Sequence, residues 1–129
     1  MKETTSMHLL EVNAIKKCIE IANSQFGNGF ITELELLNTI KSDQRFGLVS
    51  KTDNVISGFV LASICNTIGD LKPILISNQN WFDTTYEHKF PIALIQTISV
   101  SENHTGLGIG KQLINAILNQ INRLSKTTL

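Results

Sequence analysis

The clearest pattern of apolar and polar positions lies toward the end of the chain. Ile92–Val100 (IALIQTISV) is apolar on both faces, with β-branched residues gathered near its end. Such a run predicts a strand at the centre of a sheet. A polar bend follows, and then Gly106, Gly108 and Gly110 alternate across a turn. Ile109, Leu113, Ile117, Ile121 and Leu124 recur at helical spacing, joined by Ile114 and Leu118. Lys111, Gln112, Asn115, Asn119, Asn122 and Arg123 fill the other face. The unit reads as strand, glycine-rich turn and amphipathic helix.

Earlier segments carry weaker versions of the same signals. His8–Val12 predicts a short first strand, with Asn13 capping a helix. Ala14, Ile15, Cys18, Ile19, Ala22 and Phe26 form that helix's apolar stripe, which ends at Gly27. His8 has no partner at metal-ligand spacing. Thr32 and Glu35 match a capping box for a second helix continued by Leu34, Leu37 and Ile40, so Glu33 and Glu35 are read as capping or solvated. Arg45–Ser50 and Val55–Ile64 predict a hairpin around Lys51-Thr52-Asp53-Asn54. Gly58 inside its second strand signals a bulge or close packing. Asn66–Lys89 is a long connection holding Trp81, Phe82, Tyr86 and His88. It is either a lid or contact surface, or a loop pinned to the core by its aromatics. Leu71–Ser77 could add a strand, and Asn80–Tyr86 a short helix.

Composition narrows the class. At 129 residues and 42% hydrophobic content, one α/β (α+β) domain with one core is expected. Eleven basic residues balance eleven acidic ones, and the pI is about 6.8. Nothing in that balance calls for nucleic acid or an anionic membrane. No apolar run is long enough to span a bilayer, and the N-terminus MKETTSMH lacks a signal-peptide core. A cytoplasmic location is the default expectation. Cys18 and Cys65 both sit in apolar runs, which favours buried free thiols over a disulfide or a catalytic cysteine.

The glycine turn is where chemistry enters. A helix N-terminus presents main-chain N–H groups without intrahelical partners and carries partial positive charge. Glycines before it let the backbone close around a phosphate. Lys111 at the helix start is unfavourable for the helix alone, and an anion opposite would offset it. A P-loop would place its first glycine at Thr105 and a hydroxyl at Gln112, and both fail. A dinucleotide fingerprint needs G-x-G-x-x-G and a later acid, but the glycines run G-x-G-x-G and no acid follows Glu102.

The stretch instead resembles motif A of the GNAT acetyltransferase superfamily. That motif is a strand ending in valine, a bend, and Arg/Gln-x-x-Gly-x-Gly/Ala opening a helix. Val100 takes the valine position, Gly108 and Gly110 the two small-residue positions, and Gly106 the frequent extra glycine. Thr105 stands at the Arg/Gln position. The hairpin and the two early helices also fall in the family's order. The resemblance implies a GNAT-like mixed, mainly antiparallel sheet flanked by helices. It implies N-acetyl transfer from acetyl-CoA, with no metal, to an amine of a small molecule or a protein N-terminus. The alternative is a non-catalytic acyl-CoA-binding or structural GNAT-like module.

Carried over by position, Ile98, Ser99 and Val100 would meet pantetheine, with a main-chain N–H near Ile98 polarising the thioester carbonyl. Thr105, Gly106, Leu107, Gly108, Ile109, Gly110 and Lys111 would cradle the pyrophosphate. Many relatives carry a glutamate at the positions of Gln96 or Leu94. Gln96 cannot act as a base, but it could orient a water or the amine, and alternation places Thr97 on the opposite face. Glu87 and His88 are the other candidates for proton handling, by proximity to the strand. Family members continue with further strands and a helix whose tyrosine commonly acts as general acid. Tyr86, on the other side of the motif, does not match it. The expectation is a single domain, residues 1–129, that lacks the family's C-terminal strands and leaves one edge of Ile92–Val100 unpaired. A second copy or a missing segment would fill that edge.

Overall fold

A computed structural model describes residues 4–67, 69 and 92–127, and side chains in the last helix as far as Arg123. The described elements run β1 (Thr5–Leu9), α1 (Ile15–Phe26), α2 (Glu33–Lys41), β2 (Arg45–Thr52), β3 (Val55–Cys65), β4 (Ile92–Val100) and α3 (Ile109–Thr127). The four strands form one antiparallel sheet in the order β1-β2-β3-β4. The expected sheet flanked by helices is what the chain builds. The strand and helix expected within 71–86 lie outside the described residues, as do Trp81, Phe82, Glu87 and His88.

Strand alternation divides the core in two. Val49, Phe59 and Leu61 face α1 and α2, where they meet Ile15, Cys18, Ile21, Ala22 and Leu36. Leu48, Val60 and Ala62 face α3, against Ile109, Leu113 and Ile117. Each helix lays its apolar stripe on one face of the sheet. The expected stripe of α3 is only partly covered: Ile114 and Leu118 stay exposed.

Several boundaries differ from the sequence expectation. The first strand is Thr5–Leu9, three residues earlier than His8–Val12. Its register with β2 (Thr5 opposite Thr52, Leu9 opposite Leu48) decides this, supported by a Thr5–Thr52 hydroxyl bond of 2.9 Å. Leu10 leaves the strand to enter the core, and Val12 is exposed. Asn13 does not cap α1. It lies inside a short 3₁₀ turn, Val12–Ala14, and Ala14 precedes the helix with no side-chain cap bond. Gly27 does end α1, at φ +93°. The hairpin turn is tighter than four residues. Asp53 and Asn54 alone make it, at φ +51° and +69°, the left-handed pair of a two-residue turn.

Gly58 satisfies both readings of it. The register with β2 slips between Ser50 and Lys51, which leaves Ser57 as an extra residue of β3. Ser57 joins Ser50 (2.8 Å) and Thr52 (2.9 Å) in a buried hydroxyl cluster. A Cβ at Gly58 would stand 2.7 Å from the Ser99 carbonyl oxygen and 3.1 Å from Leu113 Cδ1. Only glycine allows β4 and α3 to come this close.

Candidate cofactor and acyl-transfer site

The glycine turn is open. Gly106 and Gly108 adopt φ +84° and +76°, and no atom lies within 4 Å of where either Cβ would be. Helix α3 begins at Ile109, and its first helical bond runs from the Gln112 N–H to the Gly108 carbonyl at 3.1 Å. The main-chain N–H groups of Gly106 through Lys111 donate to no other described residue. The first turn of α3 holds no acid, and Lys111 is exposed there. The N-terminal end of a well-formed helix thus carries an unsatisfied, electropositive set of donors. Thr105 turns its hydroxyl away from this set, to the Glu102 carbonyl at 3.2 Å. Leu107 is exposed on the rim.

The strand leading into the turn has a free edge among the described residues. The Ser101 N–H donates to the Ser57 carbonyl at 2.7 Å, which fixes the phase of the β3–β4 ladder. Phe59 opposite Ser99 and Leu61 opposite Thr97 are then the hydrogen-bonded pairs. The N–H and C=O groups of Ile98 and Val100 point the other way, to the open side. Of the three residues expected at pantetheine, Ser99 is the one whose main chain faces the sheet. Its side chain is buried, and its Oγ finds no partner among the described residues.

Helix α1 is tied to this edge. Gln25 Nε2 donates to the Val100 carbonyl at 2.7 Å, and Ser24 Oγ donates to Glu102 Oε1. Neither tie is legible in the sequence, because both join residues far apart in the chain.

Gln96 occupies a special position. Leu61 pairs with Thr97 and Ala62 with Ile95, so Gln96 is the extra residue of a bulge in β4. The expected alternation between Gln96 and Thr97 is therefore broken. Thr97 pairs with Leu61, and Gln96 reaches Ser63, two residues along β3 on that same face. Ser63 Oγ donates to Gln96 Oε1 at 2.6 Å. Ser63 is buried, whereas Gln96 is exposed.

The remaining candidates are quickly placed. Glu87 and His88 lie outside the described residues. Cys18 and Cys65 are buried and form no disulfide. Burial pushes the Cys18 thiol up to about 12, so it is not a thiolate at neutral pH. Among the described residues no three His, Cys, Asp or Glu side chains gather as a metal site would need. No described helix is long and apolar enough to cross a membrane.

Comparison with known proteins bears on this geometry. An aminoglycoside N-acetyltransferase, AAC(6')-Iy, solved in complex with CoA, superposes with a TM-score of 0.68 at 14% identity, over 95% of this chain and 72% of that one. An apo aminoglycoside 6'-N-acetyltransferase from Acinetobacter haemolyticus gives 0.67 at 15%, over 93% and 73%. A ribosomal-protein-alanine N-acetyltransferase from Brucella melitensis biovar Abortus 2308 gives 0.64 at 15%, over 95% and 74%. At these identities the likeness is one of fold. No curated protein matches the chain. The description "Acetyltransferase (GNAT) family" matches residues 15–128, nearly the whole sequence, and the chain belongs to that family.

Proposed function

We propose that residues 1–129 act as one acyltransferase domain that takes an acetyl group from acetyl-CoA and passes it to an amine. The acceptor would be a small molecule or a protein N-terminus. One observation carries this reading: the unused N–H groups from Gly106 to Lys111, set beside the open edge of β4. These donors suit a diphosphate, and the outward N–H groups of Ile98 and Val100 suit the amide-bearing arm that follows it. Acetyl-CoA supplies an activated thioester. The chain's part is to bind the diphosphate and hold the arm along β4. It would also polarise the acyl carbonyl with the Ile98 N–H, and set the amine near Gln96.

The named relatives support the reaction class. AAC(6')-Iy was solved with CoA and, in a second structure, with the bisubstrate analogue CoA-S-monomethyl-acetylneamine. Another is a ribosomal-protein-alanine N-acetyltransferase. These names span small-molecule and protein acceptors, which keeps both on the list.

Thermal unfolding with acetyl-CoA is the first test. A hundredfold excess over Kd stabilises by about 2.7 kcal/mol, a readily measured shift. Absence of any shift removes the proposal. Release of free thiol in the presence of an amine panel then separates a working enzyme from a module that binds acyl-CoA without turnover. We also propose that the open edge of β4 pairs two copies of the chain when acetyl-CoA is absent. Sedimentation should show a dimer that dissociates as acetyl-CoA is added. A monomer at all concentrations ends that idea.

A further inference from the structure

The last turn of α1 grips the end of β4 at two neighbouring points. Gln25 Nε2 donates to the Val100 carbonyl, and Ser24 Oγ donates to Glu102 Oε1. A main-chain carbonyl can only accept, so the NH₂ end of the Gln25 amide is the end that bonds. The two bonds bracket Ser101, whose own N–H is fixed to the Ser57 carbonyl of β3. Three anchors thus meet at residues 100–102, just before the glycine turn. Beyond them, among the described residues, the bend is tied only to itself. The His104 N–H donates to the Ser101 carbonyl at 2.9 Å, and Thr105 Oγ1 to the Glu102 carbonyl.

The anchor on the α1 side is firm, because Cys18 and Ala22 seat that helix fully in the core. The joint has few other polar ties. Asn23 Oδ1, Ser99 Oγ and His104 Nδ1 are buried there with no partner among the described residues. Ser24 and Gln25 are themselves exposed. They add little burial to the fold, and what they fix is position.

We propose that Gln25 and Ser24 are positioning residues for the cofactor site. They carry the rigid frame of α1 across to the bend and set the path by which the chain enters the glycine turn. Neither has to touch the ligand. Only molecules whose backbone already follows the competent path can bind, and apparent affinity falls with the fraction that do. Ser24 has a second effect. Glu102 is the only acid in the bend. Bonded to Ser24, its carboxylate is drawn to α1 and away from a row of N–H donors that a carboxylate could cap.

This inference rests on the acetyl-CoA reading, and the test keeps the two apart. Gln25→Met keeps the bulk of the side chain and removes the donor. At an exposed site its melting temperature without ligand should stay within about 3 °C of wild type. Nitrogen-15 spectra of this ligand-free variant should show the Gly106–Lys111 amides displaced, six or more positions beyond Val100. Acetyl-CoA should bind about two- to tenfold more weakly, the equilibrium worth of one hydrogen bond. Ser24→Ala should move the same amides and weaken binding in the same direction. Glu20→Gln breaks the exposed Lys17–Glu20 ion pair (3.6 Å) on the same helix and should do neither. The inference is overturned if the Gly106–Lys111 amides of Gln25→Met coincide with those of wild type, or if its affinity is unchanged. It is also overturned if Glu20→Gln produces the same effects. Wild-type protein whose Gly106–Lys111 amides ignore acetyl-CoA would instead remove the acetyl-CoA reading, and this inference with it.

Discussion

Two helix N-termini in this molecule meet the same physical problem in opposite ways. At α2, Thr32 sits in extended backbone and its hydroxyl accepts from the Glu35 N–H at 3.2 Å. Glu33 and Glu35 add negative charge to the first turn. The helix satisfies its own donors and complements its own dipole. At α3, Gly108 stands in the capping place with no side chain to offer, and the first turn carries Lys111 and no acid. The donors there are left over. A helix buried along Ile109, Leu113 and Ile117 can tolerate this loss. On the proposed reading, what it gains is a place for an anion, so that one terminus serves folding and the other binding.

The strongest way to break the comparison is to fill the open mouth. Gly108→Val puts a β-branched residue at φ +76°, where L residues are disfavoured by about 1–2 kcal/mol. It also places methyl groups beside the free N–H row. Acetyl-CoA should no longer shift the melting temperature. Gly27→Val is the control, at φ +93° with equally open surroundings. At ψ 164° it should lose at least as much stability, and it should keep its acetyl-CoA shift. Normal binding by Gly108→Val would show that the mouth does not hold the diphosphate.

A second variant asks how far the mouth depends on its seat. Gly58→Ala would press a methyl against the Ser99 carbonyl oxygen and Leu113 Cδ1. Overpacking of this kind costs about 1–3 kcal/mol, measurable by urea unfolding. Because Leu113 is one turn into α3, acetyl-CoA affinity should fall along with stability. Lowered stability with unchanged affinity would mean that the mouth tolerates movement of the helix. Thr32→Ala sets the scale at the other terminus. Loss of its cap should cost about 1 kcal/mol and leave the acetyl-CoA shift intact.

The two termini also differ in how much of each is legible in the sequence. The Thr32 cap is a contact between residues three apart, so the chain spells it out. The glycine mouth is equally local, and the spacing of its glycines by itself excludes two other phosphate loops. The expected capping of α1 by Asn13 fails because β1 is placed by its partner. The register from Thr5 opposite Thr52 to Leu9 opposite Leu48 pulls the strand forward and gives 12–14 to a 3₁₀ turn. The bulge at Gln96 is hidden for the same reason. It exists only as a mismatch between Leu61–Ala62 on one strand and Ile95–Thr97 on the other. Position in a motif singles out Gln96. That Ser63 holds it, and that Thr97 shares its face, depends on the paired strand.

The smallest predicted effect is the most diagnostic, because stability and binding should move in opposite directions. Lys111 is exposed in the first turn of α3, where a cation opposes the helix dipole. Lys111→Glu gives this terminus the charge that α2 already has. On folding grounds alone it should stabilise the protein by about 0.3–1 kcal/mol, with the gain shrinking in salt. If the free N–H groups serve a diphosphate, the same change puts a carboxylate where the ligand's charge must sit, and acetyl-CoA affinity should drop. Melting temperatures of the two proteins, with and without acetyl-CoA, measure both effects in one series. A variant that is more stable alone and gains less from the ligand fits a terminus kept open for an anion. If both quantities rose together, Lys111 would be no more than a poor choice of helix residue, and α3 would differ from α2 only in lacking a cap.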